Sequence, residues 1–296
     1  MEIIFLGTSC MVPTEERNHS SFLIEYNGEY LMFDCGEGTQ RQLKAAKIKP
    51  GKLSKIFITH WHGDHVLGLP GLMQSLAFSE YEKTLEIYVP RNTKKYFDYM
   101  VKAFIQNTVV DYAVTEIKDE KVLDTKGYRI EALALHHSIE CLGFSFVEKD
   151  RRRINLPFVK KLGIPQGPLL GKLQNNKEIL WKGKKVSAKD ATKVVKGKKI
   201  AYITDTLLCS NCHELAKDSD VLICDATYAS DLEEKAKEYK HLTAMHAAQI
   251  ASQNKVRRLI ITHFSQRYKT ADKILEEAKS IFPNTVAAYD FMKVKL

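Results

Sequence analysis

A chain of 296 residues, 44% of them apolar and 27% charged, is long enough to bury a sizeable core within one large α/β domain. No apolar run approaches the length of a bilayer-spanning helix, which excludes a helical membrane protein, and the start Met1-Glu2-Ile3-Ile4-Phe5 lacks the basic region of a secretory signal, so a cytoplasmic protein is expected. The formal charge of +9 is concentrated: residues 149–199 hold sixteen Lys and Arg against three acids, a local balance of +13 that leaves −4 elsewhere and points to a polyanion met by this one segment.

Six cysteines spread along the chain fit reduced thiols rather than a disulfide framework, and the lone pair Cys209-x-x-Cys212 reads as ordinary structural cysteine. Residues 2–6 read as a first strand ending at Gly7-Thr8-Ser9, followed by a polar loop over residues 12–20. A second strand, residues 21–26, stops at Asn27-Gly28, a tight hairpin signal between two apolar runs. The return strand, residues 30–33, delivers Asp34-Cys35-Gly36-Glu37-Gly38-Thr39-Gln40 to a turn. Asp34 there is either a plain turn residue or a carboxylate that orients a ligand histidine, since such imidazoles usually donate their other N–H to a carboxylate.

The apolar run Ile56-Phe57-Ile58 ends in Thr59-His60-Trp61-His62-Gly63-Asp64-His65. Alternate residues of an extended chain share a side, so His60 and His62 can meet one ion while Asp64 and His65 curl toward a second, and donors of this type suit zinc-like ions. Farther on, residues 71–78 read as a helix, 85–89 as a strand, 94–104 as a helix, 128–135 as a strand ending at His136-His137, and 141–147 as another strand. The alternation argues for βαβ packing with helices outside a mixed sheet. Within the basic segment, Gly163-Ile164-Pro165-Gln166-Gly167-Pro168-Leu169-Leu170-Gly171 is punctuated by breakers, so it is expected to form a projecting arm and not a regular core element. Strands at 199–203, 221–224 and 258–261 end at Asp205, Asp225 and His263, and helices at 231–239 and 243–252 flank His241. Ligands gather at the carboxyl ends of strands in open α/β sheets, so these scattered residues are candidates to meet. His19, His213 and His246 are read as packing or surface residues.

The His-x-His-x-Asp-His run resembles the metallo-β-lactamase superfamily. The wider wording resembles ribonuclease Z, the endonuclease that removes 3′ trailers from precursor tRNA. The resemblance rests on Gly7-Thr8-Ser9, Pro13-Thr14 with Arg17-Asn18, the Asp34 to Gln40 run, His137 before Gly143-Phe144, Thr204-Asp205-Thr206, His241-Leu242-Thr243-Ala244 and Thr262-His263-Phe264-Ser265. It implies an αββα sandwich over residues 1–296, with residues 150–198 inserted as a tRNA-binding arm. It implies two zinc ions per subunit, with manganese as an alternative: one held by His60, His62 and His137, the other by Asp64, His65 and His263, with Asp205 bridging. His137 is preferred to His136 on the family pattern. Asp64 and His241 are the candidate catalytic residues, His241 as general acid oriented by Asp225. Lys160, Lys161, Gly167, Pro168 and Lys172 are the candidate arm contacts. The short length implies a homodimer, with no nucleotide cofactor and no membrane. Two departures stand out: Asp225 replaces a frequent glutamate, and Leu242 replaces a frequent hydroxyl residue beside His241. Two other readings keep less of this picture, namely a metal-dependent phosphodiesterase of small diesters and an RNA-binding protein with a vestigial site.

Overall fold

The computed structural model describes residues 1–104 and 110–296. The chain divides into two compact units, one of Met1–Leu123, Ile130–Phe146 and Lys199–Leu296, the other of Asp124–Arg129 and Val147–Lys198.

Two seven-stranded sheets organise the larger unit. The first runs, in spatial order, Lys293–Lys295, Glu2–Gly7, Ser21–Tyr26, Glu29–Phe33, Leu53–Phe57, Leu85–Pro90 and Tyr112–Ile117. The second runs Thr285–Ala287, Arg258–Thr262, Val221–Asp225, Lys199–Ile203, Cys141–Glu148, Tyr128–Leu135 and Glu120–Asp124. Strands such as Ile3-Ile4-Phe5-Leu6 are apolar on both faces because both faces are covered. Between the sheets the rings interlock: Phe22 meets Tyr202 edge-on at 4.9 Å, and Phe144 lies 5.8 Å from both Phe33 and Phe57. On the outer side of the first sheet, helices Thr39–Ala45, Leu69–Ala77 and Lys94–Lys102 bury Leu43, Leu72, Met73, Leu76 and Phe97. Helices Ser210–Ala216, Ala244–Gln253 and Asp272–Ile281 do the same for the second sheet with Leu215, Ile250 and Ile274. The result is the expected αββα sandwich.

The expected hairpin forms at Asn27-Gly28, both with positive φ (51° and 85°), the signature of a type I′ turn. Parallel pairing joins Glu29–Phe33, Leu53–Phe57 and Leu85–Pro90 in one sheet and Lys199–Ile203, Val221–Asp225 and Arg258–Thr262 in the other. Asp34, His60, His137, Asp205, Asp225 and His263 all lie at or just past carboxyl ends of strands.

The smaller unit corrects one expectation. Residues 163–171 do enter a packed core: Ile164 is buried with Val159, Leu173, Ile179 and Val186, and Leu169 and Leu170 pack against them. The breakers punctuate helices without preventing them. Gly163 (φ 68°) closes helix Leu156–Lys161, and Gly167 (φ 144°) precedes Pro168, the first residue of helix Pro168–Gln174. Strand Arg151–Ile154 pairs with Thr192–Val195, and Ile179–Trp181 with Lys184–Val186. Lys160, Lys161, Gly167, Pro168 and Lys172 are all exposed. Among the described residues no helix is long and apolar enough to cross a membrane.

Candidate metal centre

The centre begins where strand Leu53–Phe57 ends. Thr59, His60 and His62 follow in an irregular loop in which His62 is extended (φ −79°, ψ 153°), and a single helical turn, Gly63–Val66, carries Asp64 and His65. The preceding turn is strapped to this loop: Cys35 N–H donates to His65 O at 2.8 Å and Gly68 N–H to Cys35 O at 2.9 Å. The two backbones approach so closely that a Cβ on Gly36 would sit 2.4 Å from Asp64 O, and one on Gly68 only 2.0 Å from Gly36 O, so glycine is required at both.

Asp34 is fully buried and has left-handed backbone (φ 57°), which aims its carboxylate back at the metal loop. Oδ1 accepts the Thr59 N–H at 2.8 Å; Oδ2 accepts His65 Nδ1–H at 2.8 Å and the Tyr202 hydroxyl at 2.9 Å. A carboxylate only accepts here, so Nδ1 of His65 carries the proton and Nε2 keeps its lone pair. That Nε2 is buried without a hydrogen-bond partner and faces Asp64 Oδ2 at 3.4 Å and Asp205 Oδ1 at 3.6 Å. His263 repeats the arrangement. Its Nδ1 lies 2.9 Å from Thr227 Oγ1 and 3.6 Å from Asp225 Oδ1, while its buried, unpartnered Nε2 faces Asp205 Oδ1 at 3.3 Å and Asp64 Oδ2 at 3.4 Å.

The other cluster is imidazole-rich. His62 Nδ1 lies 3.1 Å from His60 Nε2 and 3.2 Å from His137 Nε2, and Asp205 Oδ2 completes the group at 3.7 Å from His60 and 4.0 Å from His137. His137 is oriented by Nδ1 on the Lys240 carbonyl at 3.1 Å. Asp205 therefore turns Oδ2 toward one cluster and Oδ1 toward the other, and both clusters gather ligand atoms within 4.8 Å. Unpartnered buried lone pairs on converging histidines and carboxylates are costly unless a cation takes them up, so the donor set fits divalent metal ions.

Charge reflects the same crowding. Burial tends to lower the His65 and His263 pKa values, but Asp64 and Asp34 around His65, and Asp205 with Asp225 around His263, override it and raise both, so the carboxylates favour a positive charge at Nε2 that a proton or, in its place, a metal ion can supply. His60 is driven down by burial and by its histidine neighbours, His65 first.

All seven sequence-derived metal candidates come together, and so do Asp34 and Asp225. His136 is exposed; its backbone pairs with Leu207. His241 Nδ1 lies 3.2 Å from Asp225 Oδ2, and the Leu242 N–H donates to the same oxygen at 3.0 Å. The Leu242 side chain is fully buried in the core. His19 is buried with Nε2 on Met11 O, His213 meets Asn254, and His246 caps its helix with Thr243. Sequence reading missed Thr59, Tyr202, Thr227 and Lys240. Tyr202 carried a signal, a hydroxyl inside the apolar strand 199–203; Lys240 acts through its carbonyl and carried none. A cavity of about 570 Å³ opens on the donors and is also lined by Cys10, Tyr228, Lys240 and Arg267. Arg17 of the early polar loop donates to Tyr268 O and Lys269 O at 2.9 and 3.1 Å, just past the lining residue Arg267.

Residues 1–153 match the family described as anti-Pycsar protein Apyc1, and residues 188–264 match the beta-lactamase superfamily domain. Over its full length the chain is 39% identical to ribonuclease Z of Methanothermobacter thermautotrophicus, covering 97% of it. The chain belongs to the ribonuclease Z family. A second ribonuclease Z, from Archaeoglobus fulgidus, is 38% identical over 100% of this chain and 97% of its own. Among solved structures, human tRNase Z, short form, superposes with a TM-score of 0.73 at 28% identity over 100% of this chain and 99% of that one. YhfI of Bacillus subtilis, a metallo-beta-lactamase fold protein, gives 0.72 at 17% identity over 99% and 98%, a likeness of fold alone. Both the imidazole-rich and the carboxylate-rich cluster thus sit within a ribonuclease Z framework.

Proposed function

We propose that this ribonuclease Z family member is an endoribonuclease that cleaves the 3′ trailer from precursor tRNA, leaving a tRNA 3′-OH and a trailer with a 5′-phosphate. The observation that carries the reading is Asp205, one carboxylate facing two clusters of buried donors. Two zinc ions, or manganese, would be held by His60, His62 and His137 on one side and by Asp64, His65 and His263 on the other, with Asp205 between. When bound, such a pair supplies Lewis-acid charge to phosphoryl oxygens and lowers the pKa of water.

The remaining work falls to this chain's own groups. Asp64 Oδ1 is buried without a partner and accepts a hydrogen bond from the attacking water. His241, held through Nδ1 by Asp225, keeps Nε2 for the cavity and gives a proton to the departing ribose 3′ oxygen. Residues 150–198 serve as an inserted arm whose exposed Lys160, Lys161 and Lys172, with the Gly167-Pro168 turn, grip the tRNA. In a homodimer, as the family resemblance implies, one subunit's arm presents tRNA to the other's centre, and the enzyme works in the cytoplasm, where its six dispersed cysteines stay reduced.

Incubation with a 3′-extended precursor tRNA tests the reading. Expected is a single cut with the ends named above, and absence of cleavage with zinc or manganese supplied would reject it. Because every donor lies in the larger unit, deleting residues 150–198 separates this reading from action on small diesters. Precursor cleavage should be lost while hydrolysis of a small phosphodiester persists.

A further inference from the structure

A second cavity, of about 490 Å³, adjoins the metal centre and shares His62 with it. The mechanism above uses none of its other walls. Trp61 stands between two ligand histidines in the sequence, and its ring lies 6.4 Å from that of Tyr96, near parallel at 28°. Tyr96 is 44% exposed, and Lys95 Nζ sits 5.0 Å above its ring. Arg91, Asn92, Thr93, Ile139 and Glu140 complete the lining, and the single carboxylate among them, Glu140, accepts from Asn92 Nδ2 at 3.4 Å. A partly exposed aromatic pair beside the cations Arg91 and Lys95, lining a cavity that shares His62 with the metal centre, matches the chemistry of a single-stranded nucleotide: the base stacks on a ring and the cations meet its phosphates.

The position also sets which strand enters. His241, the proton donor to the tRNA oxygen, lies beyond His137, whose ring is 5.6 Å from it and 5.0 Å from His62. The tRNA end departs toward His241, and the fragment that keeps the phosphate runs toward His62 and Trp61. We propose that this cavity is a stacking subsite for a base of the trailer, the first or second nucleotide after the cut, with Arg91 and Lys95 on its phosphates. The proposal rests on the endoribonuclease reading.

The test compares wild type, Tyr96→Ala and, as a control on the same helix, Tyr99→Ala on precursors whose first trailer nucleotides carry bases or are abasic. Tyr96→Ala should weaken kcat/KM by roughly 5- to 150-fold on base-bearing trailers and hardly at all on abasic ones, with bound zinc unchanged. Equal rates for Tyr96→Ala and wild type, or an equal loss on both substrates, would overturn the subsite while leaving the activity intact. So would a change of molar mass in Tyr96→Ala with trailers cut as before, which would make the face a contact between copies. Failure of wild type to cut any precursor would instead sink the activity, and a second readout still judges the subsite. The chain has two tryptophans, so Trp181→Phe leaves Trp61 as the sole tryptophan, read by excitation on the red edge where tyrosine does not absorb. Saturable quenching by a 5′-phosphorylated oligouridylate, lost in the Tyr96→Ala background, supports the subsite; no quenching refutes it.

Discussion

Asp34→Asn is the sharpest probe of the metal centre, because it changes one oxygen to nitrogen at a fully buried position. Asp34 Oδ2 accepts from His65 Nδ1 and the Tyr202 hydroxyl, and Oδ1 from Thr59. An asparagine offers one accepting oxygen where two are used, and its amide meets donors on the other side. If the amide faces His65, Nδ1 must become the acceptor and the proton moves to Nε2, the nitrogen aimed at Asp64 and Asp205. A protonated Nε2 cannot ligate. Loss of such an orienting partner costs about 10- to 100-fold in metal affinity. Leaving buried donors poorly paired costs about 1–3 kcal/mol of stability in addition. Zinc titration followed by metal analysis after dialysis should find one ion weakened in the variant, with the cluster of His60, His62 and His137 largely retained. Two ions bound within twofold of wild type would show that Asp34 does not set the His65 tautomer.

His241→Ala should keep its metal but lose roughly 10²–10⁴-fold in turnover on precursor tRNA; loss of both ions would mean that His241 is a ligand. Binding of precursor tRNA should fall steeply with salt, and replacing Lys160, Lys161 and Lys172 by alanine should reduce the slope of log K against log salt by roughly 0.7–0.9 for each phosphate contact removed. An unchanged slope would remove these lysines from the interface. Cys209 and Cys212 place their sulfurs 3.5 Å apart, and the Cys212 thiol, donating to Cys209, lowers the Cys209 pKa. A lowered Cys209 pKa predicts that a larger share of this thiol is ionised at neutral pH than of a free cysteine, whose pKa is about 8.5. Alkylation of Cys209 should vary little between pH 7 and 9. In Cys212→Ala it should slow about tenfold at pH 7 and recover toward pH 9, and equal rates in both proteins at pH 7 would refute the coupling.

Much of the site was legible because chemistry is concentrated where strands stop. The run His60 to His65 carries two clusters' worth of donors in six residues, and Asp205, Asp225 and His263 each follow an apolar strand whose burial the sequence announces. Supporting groups were harder to see for a definite reason. Lys240 orients His137 with a main-chain carbonyl, held in left-handed backbone (φ 57°), and a carbonyl has no residue type to recognise. Tyr202 and Thr227 act across the fold, and their partners are 168 and 36 residues away. Glycine and proline in residues 163–171 were misread as preventing a core because a breaker's effect depends on its place at a helix end, which only the packed structure fixes.

The same logic explains how residues far apart in sequence can be brought into two donor clusters. Each histidine needs its second nitrogen tied down, and each tie comes from a different segment: Asp34 for His65, Thr227 with Asp225 for His263, and the Lys240 carbonyl for His137. Asp34 and Thr59 are themselves fixed by the sheet, through Asp34 N–H on Phe57 O at 2.9 Å and Leu142 N–H on Thr59 O at 2.9 Å, the latter crossing from one sheet to the other. Tyr202 on the second sheet also reaches Asp34 on the first. The two sheets cannot slide without breaking these bonds, so the aromatic core that joins them also holds the distance between the two donor clusters. A core substitution such as Phe144→Ala, costing about 3–5 kcal/mol, is therefore expected to loosen metal binding even though Phe144 has no ligand atom of its own. Its effect should appear in the carboxylate-rich cluster, where His65 depends on Asp34 and Tyr202 at the seam between the sheets.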